Sequence, residues 1–475
     1  MGTFLSGEIM TEFDFAVIGG GSAGFGAASE GAKLGLRTIC VDGGPEVGGL
    51  CILRGCMPSK TLLESANRFL TLRRAQEFGL SAGHLGFDLG AIRQRKRALI
   101  NGFADHRRIQ LEEGNFDFVR AHASFVSPHR LRLDGLDGSV REIGFRMALI
   151  ATGSELNVVD VPGLGQAGYL DSDIALDSDR IPPSIIILGG GAIALEFAHF
   201  YNALGTKVTV IQRSPQFIKD ADTDVSAAVT DAYRRQGIGM ISDTRLVAVE
   251  KTGERKTVRF VKDGLEQTIS ADEIFYALGR RPAIGRLHLD AADIELNGDL
   301  AIGTNDQMQS SQPHIFAAGD AAGQFEVVHI AIEQAVVAAR NAARLLKDEK
   351  LSSIDHRLRL FAIFSHPELA YVGLTAREAT AGGRQIRVAT YQFDDHGKSM
   401  IRGETDGLVK LIADANTHEI VGGAVVGPEA SELIHEIVVA IHFHAKASDL
   451  AAIPHYHPTL SEIWAYPAEE LAAFE

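Results

Sequence analysis

The chain twice runs through the same order of an apolar stretch, a glycine turn, a helical stretch and a second apolar stretch. The first pass spans Phe15 to Asp42: FAVIGGG reads as a strand closing in glycines, a helix follows to Gly35, and RTICVD reads as a second strand. The second pass spans Ile185 to Arg213, with IIILGGG, a helix, Gly205 and KVTVIQR. Each is a βαβ unit with glycines at the first turn. Three further strands end in small residues: MALIATGS, EIFYALGRRP and HIFAAGD, the last followed by a helix-like run through Ala343. From Leu351 the texture changes. FAIFSHPELAYVG and GLVKLIADANTHEIVGGAVVG read as alternating strands with a turn at Asp414-Ala415-Asn416, and ASELIHEIVVAIHFH reads as a helix. The pattern predicts an α/β protein with two Rossmann-like dinucleotide-binding domains and a C-terminal α+β domain. The expected boundaries are 1–160 for the first nucleotide domain, 161–283 for the second, 284–350 for the return of the first, and 351–475 for the last.

Composition narrows the function classes. With 475 residues the chain exceeds one ordinary core, and 45% hydrophobic with 23% charged residues fits a globular protein. A net charge of -15 argues against nucleic acid or an anionic membrane as partner. No segment reaches the roughly 20 apolar residues needed to span a bilayer. The opening MGTFLSGEIM has no basic patch before a long apolar core, so no secretory leader is expected, and Met10 reads as a working start. Three cysteines make no disulfide scaffold, and the expected compartment is a reducing cytoplasm.

The chemistry lies in three places. In the first turn Gly19, Gly21 and Gly24 give the GxGxxG spacing; in the second Gly189, Gly191 and Ala194 give GxGxxA. The first glycine makes the tight turn, the second lets a pyrophosphate approach the backbone, and the third position keeps helix and strand close. Asp42 closes the second strand of the first unit, where a carboxylate holds a ribose diol. The second unit instead ends in Gln212 and Arg213 with Lys219 nearby, a set that accepts a 2′-phosphate and favours NADPH over NADH. Cys51 and Cys56 follow the first unit in GGLCILRGCMPSK. Pro58 suits a first helical turn, which puts Cys56 near a helix N-terminus where a thiolate is favoured. Cys40, inside RTICVD, reads as a buried apolar residue. His457 and Glu462 in HPTLSE form an imidazole–carboxylate pair fit to move protons near neutral pH. His435 and His455 read as structural, and Asp320 at the end of HIFAAGD suits either a sugar-like hydroxyl or a helix cap.

The ordered set GGGSAG, GGLCILRGCMPSK, ATGS, GGGAIALE, ALGRRP, FAAGD and HPTLSE resembles the class I pyridine nucleotide–disulfide oxidoreductases, from about Phe13 to Glu462. That resemblance implies FAD in the first cradle, bound by Gly19, Gly21, Ser22, Gly24, Asp42, Gly49, Lys60, Thr152, Gly153 and Asp320. It implies a nicotinamide nucleotide in the second, bound by Gly189, Gly191, Ala194, Gln212, Arg213, Lys219 and Gly279. Cys56 would face the flavin, Cys51 would exchange with substrate, Lys60 would sit near the flavin paired with Glu196, and His457–Glu462 would serve the partner subunit of a homodimer. GCMPSK and HPTLSE look most like dihydrolipoamide dehydrogenase. Gln212-Arg213 and Leu50 depart from that subgroup, Ser29 from the glutathione reductases, and the ending EELAAFE from mercuric reductases. The expected substrate is a small-molecule or lipoyl-type disulfide. An NADPH-dependent low-molecular-weight disulfide reductase, a direct flavin reductase of quinones or metal ions, and a non-catalytic redox sensor stand as alternatives.

Overall fold

The computed structural model describes residues 12–475, so the expected start at Met10 lies outside the described residues. The described chain divides into two compact units. One holds the chain up to Pro58 with Arg95–Asn157 and Arg280–Ile354; the other holds Ser59–Gln94, Val158–Gly279 and Asp355–Glu475.

The first unit is built on a seven-stranded sheet. Phe13–Ile18 lies between Thr38–Val41 and Val140–Ile150 and pairs with both in parallel. Asp117–Val119 extends the edge, and Ile315–Ala317 returns from far along the chain to pair with the end of Val140–Ile150. The start of Val140–Ile150 turns into an antiparallel meander with Arg130–Gly135 and Ala121–Ser127. All four residues of Thr38–Val41 are buried, as a strand covered on both faces requires. The helix Ser22–Lys33 is small-residue-rich because it lies close to the sheet: a Cβ on Gly31 would meet Phe15 at 3.0 Å. The helix-like run expected after Asp320 forms as the helix Val328–Leu345; a 3-10 turn, Gly319–Ala322, precedes it, and Asp320 sits inside that turn rather than capping the helix.

The second unit contains a four-stranded parallel sheet in the order Gly239–Ile241, Lys207–Ile211, Ser184–Leu188, Glu273–Tyr276. A three-stranded antiparallel sheet, Arg245–Thr252, Arg255–Lys262 and Leu265–Ala271, is inserted before the last of these. The C-terminal part is a five-stranded antiparallel sheet, and the predicted turn forms with Asp414 Oδ1 accepting from the Asn416 and Thr417 N–H groups. The helix Ala430–His442 packs its buried face, including Leu433, Ile434, Ile437 and Ile441, into that core beside Trp464.

Candidate active site

The two glycine turns have the geometry the spacing demands. Gly19 has φ +113°, and a Cβ there would lie 2.3 Å from the Ala151 carbonyl oxygen; a Cβ on Gly24 would lie 1.7 Å from the Gly19 oxygen. Ser22 opens the following helix, whose N-terminus has no side-chain cap. Its N–H groups are therefore available to an anion. Asp42 is largely buried, which pushes its carboxyl up, while Arg120 pulls the other way; Arg120 Nη1 donates to Asp42 Oδ2 at 3.1 Å and Nη2 to the Gly44 carbonyl.

Two orphaned groups in this unit fit a bound dinucleotide. The Thr152 hydroxyl and Gln334 Nε2 are buried without a hydrogen-bond partner, while Gln334 Oε1 accepts from Gly319 N–H at 2.7 Å. Ser154 donates to Asp320 Oδ2 at 2.5 Å and is itself held by Arg280, whose Nε donates at 2.8 Å. Among the described residues nothing occupies Asp320 Oδ1, which leaves an acceptor for a ligand hydroxyl. Gly153 follows Thr152, and Leu50 Cδ1 lies 3.5 Å from where a Cβ on it would stand.

The cysteines lie on successive helices. Gly49–Leu53 carries Cys51, and Cys56 opens Cys56–Arg73; both thiols are half-buried. The short first helix can sit against the glycine turn because Gly49, at φ +71°, would put a Cβ only 2.6 Å from Gly21 Cα. Arg107 adds a cation that sequence reasoning missed: burial lowers its proton affinity and the attraction of Cys51 raises it, and its Nη1 is buried without a partner. Its guanidinium lies 4.3 Å over the Phe25 ring. Cys40 is fully buried, which pushes its thiol up, as the apolar reading expects.

In the second unit the helix Ala192–Ala203 also starts without a side-chain cap, and a Cβ on Gly191 would meet nothing within 4 Å. Ala194 is buried in the first turn of that helix. The Gln212 side chain folds back to accept from the Arg213 N–H at 3.0 Å; Arg213 and Lys219 are exposed, and among the described residues neither has an ion-pair partner. Gly279, at φ +103°, faces open space. Lys60 donates to both oxygens of Glu196, at 2.8 and 2.9 Å. Glu196 is nearly fully buried and also accepts from Phe364 N–H at 3.1 Å, and Lys60 lies 4.8 Å over the Phe364 ring.

The expected imidazole–carboxylate pair forms. His457 Nδ1 lies 2.9 Å from Glu462 Oε2; the His457 side chain is 81% exposed and that of Glu462 11%. His455, read as structural, has its own carboxylate, Glu436, at 2.7 Å, while His435 is exposed. Behind Glu462 stands His396, which no sequence pattern marks out.

Two nucleotide cradles, a cysteine pair and an imidazole–carboxylate pair on one chain define a flavin- and nicotinamide-dependent oxidoreductase that works on disulfides. The comparisons place it further. The pyridine nucleotide-disulphide oxidoreductase family model matches residues 13–335, and that family's dimerisation domain matches 361–468. The chain belongs to this family, whose members combine FAD with a pyridine nucleotide. It is similar to dihydrolipoyl dehydrogenase of Mycobacterium bovis, at 34% identity over 95% of this chain and 97% of that protein. The solved structure of LpdA from Mycobacterium tuberculosis superposes with a TM-score of 0.85 at 26% identity, covering 96% of this chain and 99% of that one. The Cu(II) complex of the HOCl-induced flavoprotein disulfide reductase RclA from Escherichia coli gives 0.84 at 25%, covering 97% and 100%. Among the described residues no helix is long and apolar enough to cross a membrane.

Proposed function

We propose that the protein moves an electron pair between a nicotinamide nucleotide and a lipoyl-type or other small disulfide, with Cys51 and Cys56 as the redox pair. The observation that carries this reading is the seating of the Cys51 helix on the first glycine turn through Gly49 and Gly21. FAD, when bound, would supply the two-electron couple linking the nicotinamide to the dithiol. Gly19, Gly21, Ser22, Gly24, Asp42, Gly49, Lys60, Thr152, Gly153 and Asp320 would hold it. Gly189, Gly191, Ala194 and Gly279 would hold the nicotinamide nucleotide.

The residues divide the work. Cys51, reached by the field of Arg107, exchanges with the substrate sulfur. A substrate thiolate attacks Cys51 of the Cys51–Cys56 disulfide and expels Cys56 as a thiolate. The second substrate thiol then attacks the mixed disulfide, closing the substrate disulfide and releasing Cys51 as a thiolate. His457, oriented by Glu462, takes the proton from the attacking substrate thiol and returns it in the reverse direction. The dimerisation domain supports a homodimer, in which His457 serves the cysteines of the other subunit. Lys60, held by Glu196, lies one helical turn beyond Cys56, where it would offset negative charge on a bound flavin. Gln212, which brings no negative charge, and the unpaired Arg213 and Lys219 support NADPH as the preferred nucleotide. The nucleotide domains are taken as 1–160 with 284–350 and as 161–283, the interface domain as 351–475, and the setting as a reducing cytoplasm.

Cys51→Ser is the test. Disulfide turnover should fall by more than 100-fold while FAD stays bound and the reduced nicotinamide nucleotide still reduces ferricyanide. Retained disulfide turnover would remove Cys51 from its assigned role.

A further inference from the structure

His396 is wholly buried between the turn Phe393–Asp395 and the helix Gly397–Arg402. Its Nδ1 lies 2.8 Å from Ser399 Oγ, while its Nε2 is buried without a hydrogen bond and faces Glu462 Oε1 at 3.5 Å. The other oxygen of the same carboxylate, Oε2, holds His457. One buried carboxylate is thus shared by an exposed imidazole that faces chemistry and a buried one that does not.

The groups acting on His396 are few. Glu462, His457 and the backbone of Thr459 act on it from the C-terminal segment, and Tyr466 faces it edge-on at 6.5 Å. Phe393 supplies an apolar wall at 6.2 Å. Burial, helped by His457, lowers its proton affinity more than Glu462 and the Thr459 backbone raise it, so the ring is neutral at working pH and carries one N–H. A bare lone pair on Nε2 aimed at a carboxylate would be repelled. The stable tautomer therefore carries its hydrogen on Nε2, pointing at Glu462, with Nδ1 accepting from the Ser399 hydroxyl.

We propose that His396 is a positioning residue for proton transfer: its Nε2–H, facing Glu462 Oε1 at 3.5 Å, acts on that carboxylate electrostatically and thereby sets both the orientation and the basicity of His457. The proposal rests on the role given to His457 above. A donor on Oε1 draws charge out of the carboxylate and weakens its pull on the His457 proton. Without that donor, Glu462 holds the imidazolium more tightly, and the neutral, proton-accepting form of His457 appears only at higher pH.

The experiment compares the purified holoenzyme with His396→Leu, His396→Asn, Ser399→Ala and His457→Gln in dihydrolipoamide oxidation across pH. Ferricyanide reduction scores each variant for a folded, flavin-loaded enzyme. His396→Leu should move the acid limb of kcat/KM upward by about 0.5–1 pH unit and lower kcat several-fold. His396→Asn, whose amide can donate to Glu462, should return the limb toward its original position. Ser399→Ala, which releases the tautomer, should shift it in the same direction by less, and this variant decides the matter if His396→Leu does not fold. An unmoved limb in the folded His396→Leu protein, or in Ser399→Ala when that variant decides, overturns the proposal. If His457→Gln itself turns over at the wild-type rate, the role of the imidazole–carboxylate pair has failed, and the proposal falls with it.

Discussion

Replacing Gly24 by alanine should empty the first cradle of FAD, while the equivalent position of the second cradle already carries alanine. The added methyl carbon would stand 1.7 Å from the Gly19 oxygen and 2.8 Å from the Gly19 carbonyl carbon. Ordinary contact begins near 3.4 Å, so the turn and the helix must part by well over 1 Å. Gly19 has little room to give way, because even a Cβ on it would stand 2.3 Å from the Ala151 carbonyl oxygen. Overpacking by one methyl in a yielding core costs about 1–3 kcal/mol, and here the obstacle is backbone, so about 3 kcal/mol is a reasonable floor. That corresponds to roughly 150-fold weaker FAD binding. The assay is the flavin-to-protein absorbance ratio after dialysis, followed by the dissociation constant from flavin fluorescence. The reverse change, Ala194→Gly, should cost about 1 kcal/mol of helix stability and leave FAD content unchanged. A Gly24→Ala protein that retains stoichiometric FAD with near-native affinity would refute the close-approach reasoning.

Neutralising both Arg213 and Lys219 with glutamine should raise KM for NADPH about 10-fold or more and leave KM for NADH within about two-fold; equal effects would rule out a 2′-phosphate contact. Acid stability should depend on His199, which is wholly buried, donates to Asn67 Oδ1 at 2.6 Å, and is held at about 3 rather than 6.5 by burial and by His366. The unfolded chain takes up that proton near 6.5 and the folded one does not, so the His199 contribution is complete above 6.5. It is lost as pH falls toward 3, by about 2 kcal/mol between pH 7 and 5. His199→Gln should flatten the dependence of the urea midpoint on pH in that window; parallel curves for the two proteins would count against this origin.

The legible parts of the site share one property, that their chemistry is written in contiguous residues. Gly19, Gly21 and Gly24 are dictated by a turn a few residues long, and His457 and Glu462 by one short loop. Asp320 was marked as a ligand-side acid, but Ser154 and Arg280, which fix one of its oxygens, were not. His455 reads as structural from its sequence alone; its carboxylate, Glu436, lies on the helix Ala430–His442, and no spacing rule connects the two.

The sequence by itself determined the two cradles, the cysteine pair at a helix start and the terminal imidazole–carboxylate pair, because turns, helix starts and short loops are local and impose spacing on neighbours. Only the tertiary structure decided which distant groups complete them. Arg120 reaches Asp42 across 78 residues, Ser154 reaches Asp320 across 166, and His396 stands behind Glu462 with no motif to announce it. A buried charge needs a partner of the right polarity at the right distance, and folding can supply that partner from anywhere along the chain.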